Sequence, residues 1–236
     1  MTDINDDIQV MEASEVHNFY SQMICDEMEA SAKVRGTGIA KRSPDYISKK
    51  MEEGKAVIAL TKDGTWVGFC YIETWEGEYV ANSGLIVSPD FRKTGVAKSI
   101  KQKIFNLSRR KYPEAKIFGL TTGLAVMKIN SDLGYEPVTY SELTQDEKFW
   151  AGCQSCINFD ILTAKERKNC LCTAMLYDPK EHGPIEQIKE EFKENAHIFE
   201  RFMKIKKFSF LKGLFDKGKM SDSKVRSIAK MMMSTL

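Results

Sequence analysis

Hydrophobic and polar positions follow two different periods along the chain, and each period predicts one kind of element. Two-residue alternation and short runs rich in β-branched and aromatic residues predict strands. These runs lie at residues 8–11, 56–61, 66–73, 79–87, 117–122, 135–140 and 174–177. Apolar residues three and four positions apart predict helices over residues 15–33, 44–54, 96–111 and 125–133. The resulting order is β-α-α-β-β-β-α-β-α-β, followed by an insert at residues 141–173 and a last strand.

The first predicted helix carries its large apolar residues on one face, which we expect to be the packed face. This face consists of Val16, Phe19, Tyr20, Met23, Ile24 and Met28. Ser43-Pro44-Asp45 is a typical start for the second helix, because serine caps a helix and proline suits its first turn.

The segment LIVSPDFRKTGVAKS, residues 85–99, predicts an anion-binding site. A strand ends at Ser88-Pro89, a short basic turn follows, and a helix begins at once. Backbone N–H groups of such a turn and the positive end of the helix dipole converge where a phosphate would lie. Gly95 lets the backbone approach the ligand closely. The residues expected to hold the phosphates are Arg92, Lys93, Thr94, Gly95, Val96, Ala97 and Lys98.

The pattern R-x-x-G-x-A, the element order and the turn Leu133-Gly134-Tyr135 together resemble the GCN5-related N-acetyltransferase (GNAT) superfamily. The resemblance covers roughly residues 6–178. It implies an α/β (α+β) GNAT fold with a mixed, mostly antiparallel sheet that splays between its fourth and fifth strands. It also implies an acyl-CoA-dependent N-acyltransferase whose pantetheine pairs with the free edge of Leu85, Ile86 and Val87. A backbone N–H near Val87 would stabilise the oxyanion.

The residues for proton transfer depart from the common pattern of that superfamily. Asn130 stands where a thiolate-protonating tyrosine often lies, and Ser83 stands where a base glutamate is often found. Neither side chain titrates usefully near neutral pH, so another group must do this work. Glu73 and Glu76 are the nearest carboxylates by topology, although both could simply be solvated residues at a hairpin end. Asn130 could still hydrogen-bond the pantetheine or the thiolate.

A basic loop between the first two helices is the expected acceptor site. Within KVRGTGIAKR, the residues Arg35, Lys41 and Arg42 would suit the carboxylates of an amino-acid acceptor. The segment RGTGIAKRSPDYI and the cysteine-rich insert resemble bacterial GNAT-type N-acetylglutamate synthases, which act at the entry to arginine biosynthesis. This resemblance implies transfer of an acetyl, or a succinyl, group to the α-amine of glutamate. Three alternatives remain. The acceptor could be another amino acid or a protein amine, the basic loop could simply be solvated, or the protein could be a CoA-binding regulatory module without turnover.

The composition restricts the class of protein but does not indicate a function. With 236 residues, 42% of them hydrophobic and 29% charged, the chain fits an ordinary soluble protein with one sizeable core and an appendage. No apolar run has membrane-spanning length, and the acidic start is unlike a signal peptide, so we expect a cytoplasmic location. Residues 1–180 form the predicted acyltransferase domain.

Residues 181–236 form a predicted helical extension, which ends in a basic tail. The last 36 residues carry ten Lys or Arg against two Asp, although the net charge of the whole chain is only +2. Three roles remain open for this extension: packing on the domain or on a second subunit, binding an anionic surface, or staying partly ordered. The near-neutral total charge weighs against nucleic acid as a partner.

Four cysteines of the insert predict a structural zinc site. They are Cys153, Cys156, Cys170 and Cys172. Two close pairs resemble the ligand pairs of tetrahedral zinc centres, although the second spacing is unusually tight. The insert also has few large apolar residues, so metal binding could supply the free energy that orders it. Four ordinary buried or exposed thiols are the alternative.

Overall fold

The computed structural model describes residues 7–35, 40–75 and 77–181. Its strands are β1 (Ile8–Glu12), β2 (Ala56–Thr61), β3 (Trp66–Trp75), β4 (Tyr79–Val87), β5 (Lys116–Thr121), β6 (Glu136–Val138) and β7 (Thr173–Tyr177). Its helices are α1 (Ser21–Arg35), α2 (Pro44–Glu52), α3 (Val96–Lys111), α4 (Leu124–Asp132), α5 (Glu147–Ala151) and α6 (Phe159–Ala164). The predicted element order is confirmed. The predicted extension at 181–236 lies almost entirely outside the described residues and stays a prediction.

The described strands form one sheet in the order β1-β2-β3-β4-β5-β7-β6. All neighbouring strands are antiparallel except β4 and β5, which are parallel. This arrangement confirms the predicted mixed, mostly antiparallel sheet. No described helix is long and apolar enough to cross a membrane.

The sheet opens between β4 and β5. Within the described residues these two strands pair only where Tyr79–Ala81 of β4 meets Lys116–Phe118 of β5. Beyond this point β4 continues to Val87 beside β3, whereas β5 continues beside β7. The edge of β4 that faces β5 therefore has no strand partner over its second half among the described residues.

A bulge in β4 lies beside this opening. The register with β3 pairs Tyr71 with Ser83 and Phe69 with Ile86, so two residues of β4, Gly84 and Leu85, stand opposite one residue of β3. Gly84 has φ +64°, and a Cβ there would collide with the ring of Tyr71. Only glycine fits both the backbone conformation and the close approach of the ring.

Three clusters of buried residues fix the layers of the domain. Helix α3 covers one face of the sheet with Val96, Ile100, Ile104 and Leu107, and helices α1 and α2 cover part of the other face with Ile24, Met28, Ile47 and Met51. The insert covers the remaining part of that second face, at β5 and β7, with Tyr140, Leu143, Trp150 and Leu162. The opening of the sheet thus has α3 and α4 on one face and α1, α2 and the insert on the other.

The predicted apolar face of the first helix is partly wrong. Tyr20, Ile24 and Met28 are buried, but the side chains of Val16 and Phe19 are 66% and 74% exposed. The chain begins here as a 3₁₀ helix, Glu15–Tyr20, before the α-helical spacing starts at Ser21. Because a 3₁₀ helix has three residues per turn rather than 3.6, Val16 and Phe19 do not continue the face that α1 buries. Met23, within α1, is 52% exposed, so the buried face of this helix is also narrower than predicted.

Candidate functional site

The turn between β4 and α3 has the geometry of an anion cradle. Lys93 and Gly95 both have left-handed backbone conformations, with φ of 68° and 90°. Among the described residues, no hydrogen bond uses the backbone N–H groups of Thr94, Gly95, Val96 and Ala97. Nothing lies within 4 Å of the position that a Cβ would take at Gly95. Free N–H donors and open space meet at the positive end of α3, which is the arrangement that a phosphate requires.

Arg92 joins the turn to the neighbouring elements. Its Nε donates to the carbonyl oxygen of Val87 at 3.1 Å, and its Nη2 lies 2.9 Å from Glu27 Oε1 and 2.8 Å from Ser31 Oγ. These contacts tie the turn to the end of β4 and to α1. Arg92 thus holds the turn in place while the backbone donors face the open space, and its predicted contact with a phosphate stays a prediction.

Asn130 is buried on α4 against β5 and β7. It is 1% exposed, and its Nδ2 lies 3.7 Å from Met175 Sδ. Its Oδ1 is also buried and has no hydrogen-bond partner among the described residues. A buried carbonyl oxygen without a donor is costly. Asn130 Nδ2 lies 3.7 Å from the position of a Cβ at Gly119, the first residue of β5 after its pairing with β4 ends, so Asn130 lies beside the opening.

A cluster of charged and phenolic side chains lies on the opposite face of the sheet, and we call it the cation–phenol cluster. Its members are Arg42, Tyr46, Lys50, Tyr71 and Glu73. Lys50 Nζ lies 2.7 Å from Glu73 Oε1, and the Tyr46 hydroxyl donates to the same oxygen. Arg42 Nε donates to the Tyr71 hydroxyl at 2.9 Å. The Arg42 guanidinium and the Lys50 ammonium lie 5.0 and 5.1 Å from the centroid of the Tyr46 ring.

The charge balance of this cluster favours an anionic partner. Two cations face one carboxylate, and the phenols do not change this balance. Burial, the neighbouring Tyr71 and the hydrogen bond to Glu73 raise the pKa of Tyr46, and burial raises the pKa of Tyr71, so both stay protonated. The side chains of Lys50 and Glu73 are only 12% and 17% exposed. The pair is therefore screened far less by solvent than a surface ion pair.

Glu73 is the sequence-predicted carboxylate that the structure brings into this cluster. Its Oε1 takes both contacts, whereas no described residue donates a hydrogen bond to Oε2. This second oxygen can accept a proton or orient an ammonium group. The other predicted carboxylate, Glu76, lies outside the described residues.

A cavity of about 760 Å³ lies between α1, residues 40–44 and the insert. Arg42 and Lys41 line it together with residues of α1 and with Ser155 and Ile157 of the insert. Lys41 Nζ lies 3.6 Å from Glu29 in an exposed pair, and its backbone N–H donates to Ser155 Oγ at 3.1 Å. The structure thus places two of the three predicted acceptor-binding residues at one cavity. The side chain of the third, Arg35, lies outside the described part.

The expected zinc site is not supported. In the described part of the chain, no group of three or more His, Cys, Asp or Glu side chains is placed to hold a metal ion. Cys153, Cys156, Cys170 and Cys172 are all free thiols. Burial and the neighbouring cysteines raise the pKa of Cys153 to about 11 and of Cys172 to about 12, which favours the protonated form.

The physical reason for this correction is that the insert has its own apolar core. The Trp150 ring packs against Tyr140 and Phe149 at centroid distances of 5.9 and 4.7 Å. Trp150 Nε1 donates to the carbonyl oxygen of Thr144 at 3.1 Å, so the indole is buried with its donor satisfied. Apolar packing therefore accounts for the order of the insert without a metal ion.

Sequence reasoning missed the partners of Glu73. Tyr46 and Lys50 are four residues apart on α2, and Tyr71 and Glu73 are two residues apart on β3. These spacings place each pair on one face of its element. The spacing within each element therefore indicates each pair. The packing of α2 on β3, which brings the two pairs together, is tertiary structure that local spacing does not show.

Comparison with known proteins agrees on the fold. No protein-family model matches the sequence, and the comparison with curated proteins gives no match. Among solved structures, N-acetylglutamate synthase from Neisseria gonorrhoeae in complex with coenzyme A and N-acetyl-glutamate is similar, with a TM-score of 0.53 and 16% identity. A protein from Mycobacterium tuberculosis in complex with CoA is similar with a TM-score of 0.52 and 16% identity.

The chain has the GNAT fold. The similarity covers 72% of this chain in both comparisons. It covers 98% of the Mycobacterium tuberculosis chain but only 35% of the Neisseria gonorrhoeae chain, so this protein spans about a third of the latter.

Proposed function

We propose that the protein is an acyl-CoA-dependent N-acyltransferase. The observation that carries this proposal is the opening between β4 and β5, which ends at the anion cradle of α3. The pyrophosphate of CoA would bind the N–H groups of Thr94 to Ala97, with Lys93 and Lys98 adding charge. The pantetheine would lie along the unpaired edge of β4 at Leu85, Ile86 and Val87. The two similar solved structures both contain CoA, which supports this arrangement.

The opposite face of the opening supplies the acceptor site. Arg42 and Lys50 give the cation–phenol cluster an excess of positive charge, which suits a carboxylate group. We therefore propose a small acidic amino acid as acceptor, with the α-amine of glutamate as the first candidate. The N-acetyl-glutamate in the similar Neisseria gonorrhoeae structure supports this choice. The acyl group is acetyl or succinyl, and the cytoplasmic location remains an expectation from the sequence.

The chemistry is direct attack of the amine on the thioester. Glu73 Oε2 is the group available to take a proton from the amine, directly or through water. A backbone N–H near Val87 would stabilise the developing oxyanion without reorganisation. Asn130 Oδ1 would accept a hydrogen bond from a pantetheine amide.

The test is thiol release by the purified full chain with acetyl-CoA and with succinyl-CoA, each against a panel of amino acids and a lysine-containing peptide. We expect release that depends on glutamate or another acidic amino acid, with an N-acyl product by mass spectrometry. Preference for the peptide would overturn the small-molecule acceptor. CoA binding with no release for any acceptor would support a regulatory module and contradict the enzyme.

A further inference from the structure

A lysine lies in the interior of the molecule, on the face of α3 that packs against the sheet. Lys101 is 2% exposed, and its neighbours Ile100 and Ile104 are fully buried. Burying an ammonium group without a partner is strongly unfavourable. A methionine or leucine would fill the same space without this cost, so the lysine requires an explanation.

No carboxylate in the described part of the chain forms an ion pair with Lys101. The groups that face its Nζ are the ring of Tyr135, whose centroid is 5.3 Å away, and the thiol of Cys70 on β3. Burial raises the pKa of Cys70 to about 11, so this thiol stays neutral. Burial also lowers the pKa of Lys101 from that of an ordinary lysine, which brings its ammonium closer to the range in which a thiol titrates.

Lys101 is connected to the opening of the sheet through a chain of buried contacts. The Tyr135 hydroxyl donates to Asn82 Oδ1 at 2.9 Å, and Asn82 Nδ2 donates to Ser108 Oγ at 2.8 Å. Asn82 is the first residue of β4 after its pairing with β5 ends at Ala81. Tyr135 therefore links Lys101 to the residue of β4 at which the two strands separate.

The position of Lys101 along α3 also matches the opening. It lies five residues, or about 7.5 Å, from the start of the helix at the anion cradle. In a strand–helix–strand unit with parallel strands the helix runs back beside the strand that precedes it. Lys101 is thus beside the second half of β4, where β4 has no partner on the β5 side among the described residues.

Asn130 lies on the other flank of the same opening, with its unpaired Oδ1. An amide does not titrate near neutral pH, so Asn130 cannot supply the proton that a departing thiolate needs. On the neighbouring helix, the buried cation Lys101 has no carboxylate partner among the described residues.

We propose that Lys101 donates the proton that the CoA thiolate takes up as it leaves. The proposal rests on the acyltransferase function proposed above. When the tetrahedral intermediate collapses, the carbon–sulfur bond breaks and its electron pair goes to sulfur. The sulfur takes a proton from the Lys101 ammonium, which becomes a neutral amine. The proton lost by the acceptor amine passes through Glu73 to solvent. After CoA leaves, Lys101 regains a proton from water that enters the emptied opening, so protons and charges balance over one cycle.

The direct test is the ionisation of the thiol of bound CoA, followed by the ultraviolet absorbance of the thiolate as a function of pH. We compare the wild-type protein with Lys101→Met, which keeps the length and shape of the side chain but removes the charge. A nearby cation favours the thiolate, so the thiol should titrate about one unit lower in the wild-type complex than in the Lys101→Met complex. Equal titration in the two complexes would overturn the proposal.

Turnover separates proton donation from a simple effect of charge. Lys101→Met should lower kcat about a hundredfold, the lower range for loss of a general acid. Lys101→Arg keeps the charge but cannot release its proton, so its kcat should fall similarly while its bound thiol still titrates low. If Lys101→Arg has the same kcat as the wild-type protein, proton donation by Lys101 is contradicted. Lys103→Met, on the same helix, is the matched control and should keep both values unchanged.

Thermal stability tests whether Lys101 has only a structural role, and CoA affinity tests the proposed function itself. Lys101→Met should raise the Tm or leave it unchanged, because it removes an unpaired buried charge. A lower Tm, with kcat and thiol titration unchanged, would show that the lysine has only a structural role and would overturn the proposal. Failure of the wild-type protein to bind CoA would overturn the proposed function itself, and the role of Lys101 with it.

Discussion

At the scale of single residues, Arg42 uses two of its guanidinium nitrogens for hydrogen bonds within the protein and also lines the cavity. Its Nε binds the Tyr71 hydroxyl and its Nη1 binds the carbonyl oxygen of Lys41 at 3.1 Å. No described residue accepts a hydrogen bond from Nη2, and Arg42 lines the cavity. The side chain is therefore already oriented when a carboxylate arrives, which lowers the entropy cost of binding it.

This geometry predicts that Arg42→Lys raises the KM for the acceptor about tenfold or more and leaves the KM for acyl-CoA unchanged. The lysine keeps the charge but loses the planar pair of donors, and a charge-assisted hydrogen bond contributes about 1.5–3 kcal/mol. Steady-state kinetics with each substrate varied in turn measures this. Lys33→Gln is the matched control, since Lys33 lines the same cavity but is exposed and pairs with Glu29 on its own helix. Equal effects of the two variants on acceptor KM would contradict a specific role for Arg42.

At the scale of elements, the insert is an integral part of the domain core. Tyr140, Leu143, Trp150 and Leu162 pack with Phe118 of β5 and with β7. The insert also forms one wall of the cavity through Ser155 and Ile157. Its stability and the shape of the acceptor site are therefore coupled.

We predict that Trp150→Ala lowers the Tm of the protein by about 10 °C. Removing a buried tryptophan costs about 3–5 kcal/mol, and each kcal/mol shifts the Tm of a domain of this size by about 2–4 °C. A metal chelator, in contrast, should leave the Tm of the wild-type protein unchanged. Differential scanning calorimetry measures both effects. A chelator effect as large as that of Trp150→Ala would show that a metal, rather than apolar packing, orders the insert.

At the scale of the whole molecule, local patterns predicted the fold and the strand–turn–helix geometry at Gly95 because both depend on short segments. The strand, turn and helix around Gly95 are adjacent in sequence, and so are the residues of the expected acceptor loop. The burial of Lys101 was not predicted, because lysines on helices are usually solvated and its burial arises from the packing of α3 on the sheet and beside Tyr135. The packing of Phe19 was predicted wrongly because local periodicity does not show where a 3₁₀ helix precedes an α-helix.

The central claim is that the opening between β4 and β5, with the cradle at α3, binds CoA, and calorimetric titration of CoA into the full chain tests it most directly. Two variants, Gly95→Ala and Gly77→Ala, form a matched pair. Both glycines have positive φ, 90° and 77°, and both have open space where a Cβ would lie. Both substitutions therefore impose similar backbone strain, but only the one at Gly95 fills the space at the cradle.

We predict one CoA site per chain in the wild-type protein and in Gly77→Ala, and an affinity at least about tenfold weaker in Gly95→Ala, which corresponds to about 1.4 kcal/mol. The absence of CoA binding by the wild-type protein, or equal affinities in the two variants, would contradict the account.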